Sequence, residues 1–383
     1  MTMRRALVLL AAGVVLGGCS SLNPMNWFSG PSGPTPAPLT PIANPQAVRV
    51  LWSASVGEGE HFVFSPALAG DSVYAAGGDG SVARFDAATG KLRWRISLDA
   101  RLSAGVGSDG ALAVVATDEG EVFALDAQNG RIRWRARVSS EVLAAPVVGS
   151  GLVLVRSGDS RIFAFAEQDG KRIWVYQRAP ASLIIRLPAG VTIADDSAYA
   201  GFSGGKLVAI ALENGGARWE GSVALPRGAT ELERITEVLG NPAVEGREVC
   251  AAAFQGRVAC FDVSSGNLLW SRETSSLTGV CLDERNAYVS DDKGGVQALE
   301  RRSGRSVWKQ DHLANRRPTL PLPIGADVVV GDMEGYVHFM ARESGAFVSR
   351  FQTDGSAIRA APIRLPTGFL VQTEGGRLYA LSP

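Results

Sequence analysis

The sequence predicts an all-β fold, an eight-bladed β-propeller with four-stranded blades, and three observations carry that expectation. A phrase recurs: FDAATGKLRWRI at residues 85–96 comes back as LDAQNGRIRWRA at residues 125–136. Glycine is abundant, 45 in 383 residues, which marks many tight turns rather than many helices. The two ends of the chain each carry part of the recurring unit, and neither part is complete without the other.

The first residues stand outside that pattern. Arg4 and Arg5 precede an apolar run from Ala6 to Leu16. The run falls short of the roughly 20 residues a spanning helix needs, so residues 1–18 read as a signal peptide. Leu16-Gly17-Gly18-Cys19 is similar to a bacterial lipobox, in which small residues admit the peptidase and the thiol takes the lipid. That resemblance implies a lipid-attached Cys19 as the mature N-terminus. Ser20, where an Asp would hold the protein at the inner membrane, implies the outer membrane of a Gram-negative bacterium, facing the periplasm. Residues 19–46 are expected to be the lipidated Cys and a solvated tether. Residues 20–46 hold seven prolines and no charged side chain, too little apolar surface to fold alone. The propeller then takes residues 47–383. Without residues 1–18 the chain carries 36 basic against 38 acidic side chains, a balance that gives no field favouring nucleic acid.

The repeat units follow in order. GDGSVARFDAATGKLRW (78–94), DEGEVFALDAQNGRIRW (118–134) and GDSRIFAFAEQDGKRIW (158–174) are the first three. SGGKLVAIALENGGARW (203–219), FQGRVACFDVSSGNLLW (254–270) and DKGGVQALERRSGRSVW (292–308) continue the series. MEGYVHFMARESGAFVSRF (333–351) is a seventh, with Phe351 in place of the Trp. An eighth starts at EGGRLYALSP (374–383) and lacks its last strand, and VRVLWSASVG (48–57) supplies a Trp strand with nothing before it. Pairing these ends would close the ring and remove an exposed sheet edge. Within a unit, runs such as LAVVA and VFAL are apolar without alternation, as strands covered on both faces are. The last strand, RIRWRAR, alternates, placing Ile132, Trp134 and Ala136 on one face and arginines on the other. Trp52, Trp94, Trp134, Trp174, Trp219, Trp270 and Trp308 are thus expected to wedge each blade against the next.

The A-x-D-x-x-[TS]-G-x-x-x-W phrase resembles the repeats of the pyrroloquinoline-quinone (PQQ) enzyme propellers over residues 48–383. With lipobox, tether and eight blades, the whole layout resembles the BamB family, lipoproteins of the outer-membrane β-barrel assembly (BAM) complex. The resemblance implies a scaffold without enzymatic activity that assists insertion of β-barrel proteins into the outer membrane. Its implied partners are the periplasmic (POTRA) domains of BamA, the outer membrane through the lipid, and nascent outer-membrane proteins. An alternative is a propeller that grips unfolded outer-membrane proteins or glycan directly. A quinone-dependent dehydrogenase is disfavoured because no Cys-Cys pair exists and no long insert could roof a cofactor. No cofactor, metal or catalytic residue is expected.

Several motifs that elsewhere carry chemistry read here as turns. Gly105-Val106-Gly107-Ser108-Asp109-Gly110 matches a dinucleotide fingerprint but leads into the strand ALAVVAT instead of a helix. Gly201-Phe202-Ser203-Gly204-Gly205 matches a nucleophile elbow but falls on a hairpin turn. Asp291-Asp292 and Asp332-Met333-Glu334 lack the dense oxygen spacing of a calcium loop and are expected to be solvated turns. The three histidines, His61, His312 and His338, are scattered. Cys250 and Cys260 stand symmetrically about Gln255, which sets them opposite across a hairpin. An oxidising compartment permits a disulfide there, while a regular ladder often misaligns opposed cysteines, so both states fit. Cys281 is left to pack as a small apolar residue.

Spacing also locates a surface. Trp-to-Trp intervals run 40, 40, 45, 51 and 38 from Trp94 to Trp308. The two long intervals are consecutive and insert residues at equivalent points, so both insertions are expected on one rim. ASLIIRLPAG (181–190) places Leu183, Ile184, Ile185 and Arg186 in a loop, or alternatively begins a buried inner strand. PRGATELERITEV (226–238) suggests a short helix with Thr230 as cap and Glu233 at the capping-box position. In the BamB family a Leu-x-Leu-Arg segment and a neighbouring acidic pair are implicated in holding BamA. By that resemblance Leu183, Ile185 and Arg186 match the first, Glu237 stands for one acid, and Leu239 occupies the place of the other.

Overall fold

A computed structural model describes residues 34–179 and 183–383. Cys19, the signal segment and the first part of the tether lie outside the described residues. All thirty-two elements among the described residues are strands, grouped in eight four-stranded antiparallel sheets arranged as a ring. We number the blades in chain order: residues 67–97, 107–137, 147–177, 191–222, 237–273, 281–310, 322–352, and a last blade built from 363–382 with 49–55. Strands a to d run from the axis outward in each.

The eighth blade is the closure. Its a, b and c strands are Ile363–Leu365, Gly368–Gln372 and Arg377–Ser382, and its d strand is Arg49–Ser55 from the other end of the chain. Trp52 pairs with Ala380 and Ser55 with Arg377 in antiparallel register. The outward-directed backbone groups of residues 377–382 would otherwise face solvent unpaired.

The recurring phrase explains how one blade grips the next. Each of the seven outer-strand Trp indole N–H groups donates to a backbone carbonyl in the following blade's c–d turn: Trp52 to Ala87 (3.0 Å), Trp94 to Ala127 (2.9 Å), Trp174 to Leu212 (2.7 Å). Trp134, Trp219, Trp270 and Trp308 repeat the bond to Glu167, Val263, Arg301 and Arg342. The glycine of the phrase is the seat. A Cβ on Gly90 would stand 2.6 Å from the Trp52 ring, and one on Gly215 2.7 Å from Trp174, and both residues hold positive φ. Only glycine meets both demands. The aspartate closes the turn: the Asp86 carboxylate accepts from the Thr89 hydroxyl (2.7 Å), from Arg93 and from the Thr89 amide (2.9 Å). These bonds hold its carboxyl down to about 2.

Inner strands such as Leu112–Ala116 are buried throughout, as their unbroken apolar runs require. The outer strand corrects one expectation. Trp134 is buried but Ile132 is 40% exposed, because a β-bulge falls between them: Ala124 pairs with Trp134 and Leu125 with Ile132, skipping Arg133. The bulge recurs one residue before each Trp, for instance Arg84 with Trp94 and Phe85 with Leu92. It turns the preceding side chain outward and breaks the alternation.

Two further expectations are corrected. Residues 36–46 are not a solvated tether: Ala37 N donates to Ala314 O (2.9 Å) and Gln46 N to Val348 O (3.0 Å), so this stretch lies along blade 7. Asp332 is not in a solvated turn either. It is fully buried, accepting from Arg316 Nε (2.7 Å) and His338 Nε2 (2.8 Å), because the loop before blade 7 folds back onto that blade's own b–c turn and c strand. Cys250 and Cys260 face each other on neighbouring strands and are joined as a disulfide. Cys281 is largely buried, which pushes its thiol up to about 11. Residues 105–110 and 201–205 lie in strands and turns with no helix following. No group of His, Cys, Asp and Glu among the described residues is arranged to hold a metal.

Candidate functional site

Antiparallel order places every b–c turn and every d–a loop on the same face of the ring, here called the loop face. Both insertions are d–a loops, so both rise from that face, one on either side of blade 4.

The first joins Arg172–Gln177 to Val191–Ala194. Its described part, residues 183–190, forms no inner strand, and its apolar residues stay in the loop. Leu183 is 46% and Ile184 39% exposed. Ile185 is half-buried, and its N–H donates to Glu237 Oε2 at 2.8 Å. Arg186 Nε donates to Glu141 Oε1 at 3.0 Å, and Nη2 bonds the second oxygen, a bidentate pair to the loop between blades 2 and 3. These bonds raise the Arg186 guanidinium above its ordinary value. Gly190 N to Gly240 O and Gly240 N to Pro188 O, both 3.0 Å, tie the loop's end to blade 5. The segment is therefore stapled at both sides and from beneath, with Leu183, Ile184 and the Arg186 side chain outward.

Glu237, expected as one acid of a partner site, lies largely buried. It is 6% exposed, beneath the loop, where its carboxylate holds the Ile185 backbone. Burial raises its pKa, opposed by the Ile185 N–H and by the charge of Arg156. Arg156 in turn donates to Gly201 O and lies 4.7 Å over the Phe202 ring, and burial lowers it to about 10. Leu239 is buried as well, so both positions expected to match the acidic pair lie beneath the surface. Leu143, Arg156, Ser160, Ile184, Arg186 and Glu237 line a groove where these groups meet.

The second insertion is not a helix. Its capping box forms, with Glu233 N donating to Thr230 Oγ1 (3.2 Å) and Thr230 N to Glu233 Oε2 (3.0 Å). It encloses a single turn, with Arg234 N donating to Thr230 O (3.2 Å), after which the chain enters blade 5 and the Thr236 carbonyl accepts from the amides of Gly204 (2.7 Å) and Gly205 (3.1 Å). The turn holds out Leu232, 68% exposed, and Leu225 is exposed beside it in sequence. Neither Leu232, Leu225 nor Glu141 was singled out by sequence. A Leu inside the polar run TELER was the available signal for the first, while Glu141 joins the site only through the fold.

A family model described as outer membrane protein assembly factor BamB matches residues 44–100 and 78–310. The chain belongs to the BamB family. The outer membrane protein assembly factor BamB of Bordetella pertussis is 46% identical over 375 residues, covering 98% of this chain and 96% of that one. That of Pseudomonas aeruginosa is 44% identical over 375 residues, covering 97% of each. The crystal structure of BamB from Moraxella catarrhalis superposes with a TM-score of 0.81 at 25% identity, covering 88% of this chain and all of that one. The quinohemoprotein alcohol dehydrogenase of Comamonas testosteroni matches with a TM-score of 0.70 at 12% identity, covering 87% of this chain and 76% of that one. This last likeness is one of fold.

Proposed function

We propose that this BamB-family chain is a non-enzymatic scaffold of outer-membrane β-barrel assembly, anchored to the outer membrane through Cys19 and facing the periplasm. Its loop face docks the periplasmic POTRA domains of BamA. The observation that carries the docking site is the stapled loop at 183–190. Leu183 and Ile184 stand exposed while the bonds to Glu141, Glu237 and Gly240 hold the segment in one shape. Apolar anchors beside an arginine, pre-ordered before contact, make an effective binding centre because little freedom is lost on association. Leu183 and Arg186 form the contact, Ile185 is its inner support, and Glu237 acts by holding the Ile185 backbone.

The test is co-purification from detergent-solubilised outer membranes. Leu183→Ala with Arg186→Glu is expected to lose most of the BamA recovered with the wild-type chain while keeping the wild-type melting temperature. Undiminished recovery would remove the site. Metabolic labelling with a fatty acid, present in the wild type and absent in Cys19→Ser, tests the anchor separately.

A further inference from the structure

We propose that the buried charge cluster of blade 7 is a docking site for the chain's own Pro38-Leu39-Thr40-Pro41 segment, and that this clamp fixes where the N-terminal chain leaves the ring. The cluster is built around Arg316, 2% exposed. Its Nε donates to Asp332 Oδ2 (2.7 Å) and its Nη2 to Glu334 Oε2 (2.5 Å). The other Asp332 oxygen closes the turn by accepting from the amides of Glu334 and Tyr336, both 2.9 Å. His338, also fully buried, donates from Nε2 to Asp332 Oδ2 and accepts at Nδ1 from Arg350 Nε (3.2 Å).

A further nitrogen of each guanidinium points to the same stretch of chain. Arg316 Nη1 donates to the Ala37 carbonyl (2.8 Å) and Arg350 Nη2 to the Thr40 carbonyl (3.2 Å). Below them Ser349 Oγ donates to Gln46 O (2.6 Å). Burying several charges is expensive, and the cost is recovered only when every donor finds a partner. Without the segment, Arg316 and Arg350 would each lose one partner.

The segment is suited to be held this way. Ala37 and Thr40 each precede a proline, which confines them to extended backbone. An extended proline-rich chain turns once in about three residues, so carbonyls three apart face the same side. Pro36, Pro38 and Pro41 bring no N–H that needs a partner, and a chain already stiff loses little freedom on docking. Blade 7 thus reads a P-x-x-P stretch of its own chain through its carbonyls.

The location has a consequence. Arg316 lies in the d–a loop after blade 6 and Asp332 in the b–c turn of blade 7, both on the loop face. The chain therefore enters the ring on the face that carries Leu183 and Leu232, three blades round from the first of these loops. If the anchor at Cys19 is as proposed above, the sixteen residues from 20 to 35 span at most about 60 Å. The lipid then pulls on one fixed edge of that face. This second part rests on the anchored reading; the clamp itself does not.

Hydrogen exchange on the mature chain tests the clamp without lipid. The amides of Ala37 and Gln46 are expected to be protected in the wild type. In Arg316→Gln they should exchange about 10-fold faster or more while those of Val337 and Phe339 stay unchanged. Pro38→Ala with Pro41→Ala leaves the cluster intact and is expected to give a smaller loss at the same two amides, which decides the matter if Arg316→Gln fails to fold. Free-chain exchange at Ala37 in the wild type, or no change in the folded variants, would overturn the clamp. Spin labels at Pro36→Cys and Leu232→Cys should give one narrow distance in the wild type and a broad one with Arg316→Gln. Broad distributions in both would overturn the fixed exit. A chain that keeps its protected amides yet takes no fatty acid would fault only the anchored reading.

Discussion

At the scale of single residues, the Trp–Gly pairs are the repeated joint of the ring. Trp174→Ala removes a wedge and strands the Leu212 carbonyl, and is expected to cost about 3–5 kcal/mol in denaturant unfolding. Gly215→Ala drives a methyl into the Trp174 ring at positive φ, and should cost at least about 2 kcal/mol by the same measurement. The Trp and the glycine were each readable as parts of one short phrase, but their pairing was not, since the glycine that seats a Trp belongs to the next blade's phrase. The indole bond was not, since its acceptor lies a whole blade further on. The Asp332 cluster escaped for a similar reason: Arg316, Asp332 and His338 are ordinary residues in sequence and become partners only where three elements meet. Burial would raise the Asp332 carboxyl, but the bonds from His338, Tyr336 and Arg316 hold it below its ordinary value. Burial lowers His338, the charges of Arg350 and Arg316 acting the same way and Asp332 against them. In both groups the unfolded chain binds protons more readily, so stability is full near pH 7 and falls on acidification. The His338 part is lost from about pH 6.5 downward and the Asp332 part from about pH 4 downward. His338→Gln should flatten the first step in a pH series of melting curves; an unchanged series would contradict this assignment.

At the scale of elements, strands were legible and loops were not. Four strands per unit follow from local patterning of apolar runs and turn residues, which the fold had no reason to override. The segment 226–238 carried a sound helix start, yet it makes a single turn, because by Thr236 the chain is already bonded to Gly204 and Gly205 and by Glu237 it is a strand of blade 5. Residues 36–46 read as a solvated tether by composition, but a proline-rich chain can dock through its carbonyls without burying much apolar surface. The disulfide between Cys250 and Cys260 spans ten residues across one hairpin of blade 5. Replacing both by Ser is expected to lower stability by about 2–3 kcal/mol, a size set by the short loop, as read from urea unfolding. Glu237→Ala should speed exchange at the Ile185 amide while Glu237→Gln, which keeps an acceptor, should not.

For the whole molecule, closure and display are one design. The pairing of Arg49–Ser55 with Arg377–Ser382 makes a ring without free ends, and the ring holds the d–a loops at fixed spacing on one face. Deleting residues 48–57 is expected to leave the last blade open-edged and to produce aggregates by size-exclusion chromatography. The proposed docking surface was half legible: Leu183, Ile185 and Arg186 stood out by composition and spacing, whereas Glu141 and the inward turn of Glu237 depend on neighbouring blades. The most direct measurement is calorimetric titration of the purified chain with the periplasmic domains of BamA, comparing wild type with Leu183→Ala/Arg186→Glu. Binding weakened by about 10-fold or more, with an unchanged melting curve, is the expected result. Equal affinity of the two folded proteins would contradict the placement of the contact on the 183–190 loop.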